Sequence, residues 1–479
     1  MLRSPKFVWA TCFATLILTT FFVIYTSTQS MSVQLRFSIT PATPKAAANI
    51  VASKKEKFIS FLPHSGLHNQ RIGLINAMIL AKSLDRTLIL PEMNIGNAIW
   101  WRPTPLADYR LGECPSIKQR SNPKCHDFTK YVPVSVESIF DLSAAHSVGI
   151  RTVQRSSMSQ DYFKDVYQAQ EEDIYRIQDG DRYSYRIYDS KDNNESIRTF
   201  RYRIDMDDLR ERDEKFMLFG SLHYTLRLAM QDPDMVWLAK YLREETSISH
   251  PLVIKQALSV LPLLGGPDKF IGVHLRQGDG FFKKLMDETV NTLRATLEQS
   301  ILEPGSIVEQ QLIGTPVVTR SLTTEEEDKL IALKQVDEAN PIDKIPLLNK
   351  CVHWHSEDNH PRLRLIFMAT DTRQPRTTLK ELYDEFPCIF TLSDFPNVVE
   401  STLTSGPMLT GNKEVDEEFI QLGSRISPLL LPMIDAEIAS HGSSFIGTRK
   451  STFSQYINHR YSRFQTMYHP NEQPSSLPL

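Results

Sequence analysis

Four times in this chain a short strand-forming run breaks off at glycine, hydroxyl or charged residues. Residues 58–62 run into His64 and Gly66, and 270–275 into Arg276 and Gly278. Residues 364–369 run into Thr370 and Asp371, and 443–446 into Gly447 and Ser451. Runs of this kind, bounded by turn residues, make strands covered on both faces. After the first comes a stretch with apolar residues at Ile72, Ile75, Ala77, Met78, Ile79 and Ala81, a helix buried on most sides. A second strand over 87–90 follows and stops at Pro91. Strand, loop, helix, strand opens a doubly wound sheet, and such sheets bind ligands at the carboxyl ends of their strands. Gly265-Gly266-Pro267 marks a boundary. The expected fold class is therefore α/β, with two Rossmann-like domains, 57–265 and 266–479, facing each other across a cleft.

The residues released at those ends carry the chemistry. Alternate residues of a strand share a face, so His274 and Arg276 leave one side while Val273 and Leu275 leave the other. With Asp279 on a turn flanked by Gly278 and Gly280, they form either a ligand site or an Arg–Asp ion pair tying down a loop. Asp371 either accepts hydrogen bonds from a ligand's ring N–H or hydroxyl, or caps a helix over 377–385. Residues 447–454 (GTRKSTFS) join a glycine turn, hydroxyls, Arg449 and Lys450 to a helix start. That is an anion cradle, or only a cap made by Ser451 or Thr452. The Gly/Lys spacing is not that of a Walker loop. In the first half, Gly66 permits close backbone approach, Asn69 is either an N-cap or a ligand contact, and Arg71 can pair with a nearby acid. Trp100-Trp101-Arg102-Pro103 reads as a packed corner in preference to a sugar-binding rim. Thr323 followed by Glu325, Glu326 and Glu327 starts a helix whose acids are solvated.

Residues 7–28 hold no charged side chain, follow Arg3 and Lys6, and are long enough to span a bilayer. They are expected to be an uncleaved signal anchor. Residues 1–6 would stay in the cytosol, 29–56 would form a stem, and the rest would lie in the lumen of the Golgi or endoplasmic reticulum. Outside the anchor stand Cys114, Cys125, Cys351 and Cys388. The reading pairs Cys114 with Cys125 and Cys351 with Cys388 among three possible connectivities. Asn194-Glu195-Ser196 is a glycosylation sequon. A net charge of -3 over 479 residues gives no basic footprint for nucleic acid. No Cys/His spacing suggests zinc, no Asp-x-Asp pair stands near a strand end, and no metal or cofactor is expected.

Gly66–Arg71 (GLHNQR) with 84–91 (LDRTLILP), 274–279 (HLRQGD), 369–371 (ATD) and 445–454 (FIGTRKSTFS) together resemble the GDP-fucose protein O-fucosyltransferase family. The resemblance covers both halves but not 94–264 or 285–345. It implies a GT-B-type enzyme that takes GDP-fucose as donor and transfers fucose with inversion to a protein or glycan, without metal. By analogy Arg276 binds the diphosphate and stabilises its leaving charge, with His274 beside the nucleotide. Ser451, Thr452 and Phe453 line the phosphates and base, Asp371 contacts guanine, and Asn69 approaches the sugar. Some family members carry a carboxylate general base in the first loop; here Leu67 and His68 stand instead. His68, Asp279 or no strong base at all remain as alternatives. Two other readings stay open: another nucleotide sugar on the same scaffold, or a non-catalytic lumenal binding protein.

Overall fold

The computed structural model describes residues 56–115, 121–128, 131–278, 280–298, 307–309, 321–355, 359–405, 416–417 and 426–470. The expected tail, anchor and nearly all of the stem lie outside the described residues, as does Asp279. Among the described residues no helix is long and apolar enough to cross a membrane.

The first half is built on β1 (Phe58–Leu62), α1 (Leu67–Ser83), β2 (Thr87–Leu90), β3 (Thr152–Gln154), β4 (Ile174–Ile177) and β5 (Phe216–Ser221). The five strands are all parallel, in the order β3-β2-β1-β5-β4. Central β1 is buried at every position, which is why its sequence is nearly continuous apolar. Two helices, α2 (Pro233–Glu245) and α3 (Pro251–Val260), lead to the second half. There β6 (Ile271–Leu275), β7 (Ile307–Glu309), β8 (Ile366–Thr370), β9 (Ile389–Phe390) and β10 (Ser444–Gly447) form another parallel sheet, in the order β7-β10-β6-β8-β9. Helix α4 (Ser427–Ser440) precedes β10, and α5 (Thr452–Tyr468) follows it.

The period-2 reading of β6 holds in the packing. Ile271, Val273 and Leu275 join an apolar cluster with Leu293, Leu297 and Leu382 on one side of the sheet. Gly272 and His274 face the other way, where α4 lies so close that a Cβ on Gly272 would collide with the Ala439 carbonyl. Glycine is thus needed for that helix to seat. A single apolar core runs on from β1 and α1 through α3 into α4 and α5, and residues 56–479 form one unit. Disulfides join Cys114 to Cys125 and Cys351 to Cys388.

Several expectations need correcting. Trp100 is 62% exposed and not packed, because its neighbour Ile99 bridges Ser65 and takes the buried place. Glu326 is buried, not solvated: it closes a capping box with Thr323 and accepts from the His360 amide. Strand β4 and a small three-stranded sheet, with Tyr185–Tyr188 between Tyr202–Asp205 and Leu228–Ala229, lie between β3 and α2.

Candidate functional site

Three neighbouring strands of the second sheet end side by side. Leu275 on β6 pairs with Thr370 on β8, and His274 pairs with Gly447 on β10. The next residues along, Arg276, Asp371 and Thr448, therefore emerge together. The Asp371 carboxylate accepts from the Gln277 amide (2.7 Å) and the Gly278 amide (3.0 Å), and lies 3.2 Å from Arg276 Nε. A Cβ on Gly278 would meet Asp371 Oδ2 at 2.7 Å, so the close fit depends on glycine. The Thr448 hydroxyl accepts from the Arg276 amide (3.0 Å) and donates to the His274 carbonyl (2.8 Å). Ser454 Oγ, in the first turn of α5, accepts from the Thr448 amide (2.9 Å) and lies 2.6 Å from His274 Nδ1. Ser451 is the N-cap of α5 and accepts from the Ser454 amide. Arg276 is thus tied by its backbone, through Thr448 and Ser454, to the first turn of a 17-residue helix, while its guanidinium, about a third exposed, lies against Asp371. Positive helix-end amides and a fixed cation favour a negatively charged ligand there.

The first half reaches this place through α1. Gly66 is its N-cap, so Asn69 does not cap the helix; its Nδ2 donates to Ser65 Oγ at 3.1 Å. Buried Gln70 exchanges two hydrogen bonds with the backbone of Asn94. Among the described residues Arg71 pairs with no acid. It donates to the carbonyls of Thr246 (2.7 Å) and Arg243 and lies 4.9 Å over the Tyr456 ring. Burial lowers its pKa to about 10.

A ladder of rings joins the halves. Phe453 lies 4.6 Å from His274 on one side and 4.6 Å from His68 on the other, and His68 stacks on Tyr456 at 4.7 Å. Burial, then the nearby Arg276 guanidinium, brings the His274 pKa down to about 3. Burial, with Arg71, His274 and Arg276 behind it, holds His68 well below the ordinary imidazole range. Both rings are neutral near neutral pH.

His274, Arg276, Asp371, Ser451, Thr452 and Phe453 are thus neighbours, and His68 joins them through Phe453. Asp371 makes no helix cap; the following helices begin at Pro375 and Lys380, with Gln374 and Leu379 at their N-cap positions. Gly66 and Asn69 flank His68 within the first turn of α1. Asn194 is exposed in a loop. Sequence reasoning missed Thr448 and Tyr456. Thr448 stood inside a quoted motif, and Tyr456 lies one turn beyond Phe453 on the same helix face, a spacing that could have found it.

A family model for GDP-fucose protein O-fucosyltransferase matches residues 58–462. The chain belongs to that family. It is accordingly a glycosyltransferase of the fucosyltransferase group. No curated protein matches it. Among solved structures, POFUT1 in complex with GDP-fucose is similar at 13% identity and TM-score 0.36, covering 85% of this chain and 95% of that one. NodZ alpha-1,6-fucosyltransferase co-crystallized with GDP is similar at 12% and 0.34, covering 84% and 92%. Fucosyltransferase NodZ from Bradyrhizobium is similar at 13% and 0.34, covering 84% and 93%. The assignment rests on the family model.

Proposed function

We propose that this enzyme transfers fucose from GDP-fucose to a protein or glycan acceptor, with inversion at the sugar carbon and without a metal ion. The observation that carries the reading is the adjacency of Arg276 to the capped start of α5, tied through Thr448 and Ser454. As the bond to the sugar breaks, the diphosphate gathers charge. A guanidinium and helix-end amides fixed in advance stabilise that charge without reorganising. The Asp371–Arg276 contact holds the guanidinium in place until the diphosphate arrives. His68, kept neutral by burial among cations, takes up a proton poorly. Departure of the leaving group, more than proton removal by His68, is in this reading the step that the protein assists. In this reading the two sheets are the halves of a GT-B cleft. Residues 7–28 anchor a type II protein whose catalytic part faces the lumen of the Golgi or endoplasmic reticulum.

The test is to incubate the purified full chain with a panel of nucleotide sugars and follow diphosphate release. GDP-fucose should be consumed well above the others. Equal or faster release from another donor would overturn the donor assignment, and no release from any donor, with GDP still bound, would leave a binding protein.

A further inference from the structure

The first sheet has a carboxyl edge of its own, which the donor does not use. Adjacent strands β1, β5 and β4 end at Leu62, Ser221 and Ile177, and two residues beyond each stand His64, His223 and Asp179. Such edges are where open parallel sheets take ligands. The Asp179 carboxylate is already met by the Ser221 amide and by Arg227 at 3.7 Å. The rest of the edge is aromatic. The His64 and His223 rings lie 4.2 Å apart, and Tyr224 follows at 5.6 Å from His223. Tyr183 stands 5.1 Å from Tyr224, their hydroxyls 2.9 Å apart, and both tyrosines are partly exposed.

Residues 99–104 cross this edge. At one end Ile99 exchanges two backbone hydrogen bonds with Ser65. At the other the Thr104 amide donates to the Asp179 carbonyl (3.1 Å), and the Thr104 hydroxyl accepts from the Asp179 amide (2.7 Å). Trp100 and Trp101, between the two anchors, are therefore held along the strand ends, and most of Trp100 is exposed. The shelf continues to the donor. Thr225, exposed and next to Tyr224, lines one cavity with His68, Ser451 and Thr452.

The polar groups left without partners here are neutral. Among the described residues neither ring nitrogen of His64 nor Trp101 Nε1 has a hydrogen-bond partner, and His64 is 7% exposed. Burial keeps His64 uncharged near neutral pH. A neutral imidazole offers one donor and one acceptor, an indole one donor, and leaving them unmet is costly. A hydroxyl, donor and acceptor at once, answers both kinds, whereas a carboxylate or an ammonium answers one. Ring faces with polar tips suit a ligand that is apolar on its face and wet at its rim.

We infer that this edge is the acceptor subsite and that the acceptor bound there is an uncharged oligosaccharide. One sugar ring lies on the face of Trp100. Its hydroxyls meet those of Tyr183 and Tyr224 and turn toward His64, and the hydroxyl to be modified passes Thr225 toward the donor. Calling this sugar the acceptor rests on the fucosyl-transfer reading; its binding does not.

Maltopentaose, cellopentaose, mannopentaose and xylopentaose are the probes, titrated into the purified full chain with and without saturating GDP and followed by saturation-transfer NMR. At least one should bind saturably, one per chain, with an affinity that GDP does not lower. Trp100→Ala should weaken it at least tenfold, Trp100→Tyr should restore most of the loss, and Tyr224→Phe should weaken it about threefold. Trp237→Ala, which removes a similarly exposed tryptophan on α2, should leave it unmoved. GDP affinity by calorimetry should stay within about threefold across the set. The absence of saturable binding by any of the four sugars would overturn the inference, as would binding indifferent to the Trp100 and Tyr224 changes. Displacement of the sugar by GDP would do so too, by placing it in the donor's pocket. Failure of GDP to bind would count against the donor reading alone, since the sugar titration is read without GDP as well.

Discussion

Replacing Thr448 by valine tests whether the strand-end site is held together as described. Valine keeps the shape and removes one hydroxyl. Two backbone groups then lose their partners, the Arg276 amide at 3.0 Å and the His274 carbonyl at 2.8 Å. Thr448 is 4% exposed, so water does not readily replace the hydroxyl. Each orphaned buried group costs about 1–3 kcal/mol, giving roughly 2–6 kcal/mol for the pair. Against a usual domain stability of about 5–15 kcal/mol all but the most extreme combination leaves the protein folded. Urea titration of the full chain, followed by tryptophan fluorescence, measures that loss, and calorimetry measures GDP affinity in parallel. Thr448→Ser is the control, because it keeps the hydroxyl and gives up a methyl worth about 1 kcal/mol. The reasoning predicts a large loss for valine, a small one for serine, and weaker GDP binding only for valine. If valine stays within about 0.5 kcal/mol of the parent and binds GDP unchanged, the Thr448 hydroxyl does not fix the Arg276 strand end.

Arg276→Ala should lower kcat by about 10²–10³-fold, the usual loss when one donor to a developing charge is removed, with the unfolding midpoint unmoved; turnover near the parent rate would refute its role. Gly278→Ala forces a methyl onto the Asp371 carboxylate and should weaken GDP binding at least tenfold by calorimetry. Activity should persist in excess chelator, and its loss there would reveal a required metal. Acid should destabilise the fold through His64, His274 and His459, whose pKa values burial lowers to about 3. They stay neutral when folded and take up protons on unfolding. Their contribution is therefore complete above about pH 6.5 and is lost as pH falls from there toward 3, at about 1.4 kcal/mol per pH unit for each group. A melting temperature flat between pH 7 and pH 5 would contradict this.

The site was more legible than the architecture around it. Strands such as Ile366–Thr370 carry their own signature, an apolar run cut off by turn residues. Parallel pairing then brings their ends together, so the sequence alone groups Arg276, Asp371 and Ser451. Roles were harder. Asp371 and a helix cap look alike in sequence, since either use needs a carboxylate before a helix, and only the positions of the Gln277 and Gly278 amides decide. Arg71 likewise satisfies carbonyls of Thr246 and Arg243, far along the chain, which no local pattern encodes. Strand β4 escaped because it is half-exposed, so burial did not force an apolar run upon it.

The helix that closes the strand-end site also braces the other half of the molecule. The Tyr456 hydroxyl accepts from the Ile248 amide, 208 residues earlier in the chain, and Arg463 lies 3.0 Å from Glu245. A ribosome making this protein thus releases the first sheet long before the segment that completes its packing has been synthesised. The first sheet must wait, partly uncovered, for the final stretch of translation. Shortening the carboxyl end should consequently be felt first as poor yield rather than as a change in catalysis.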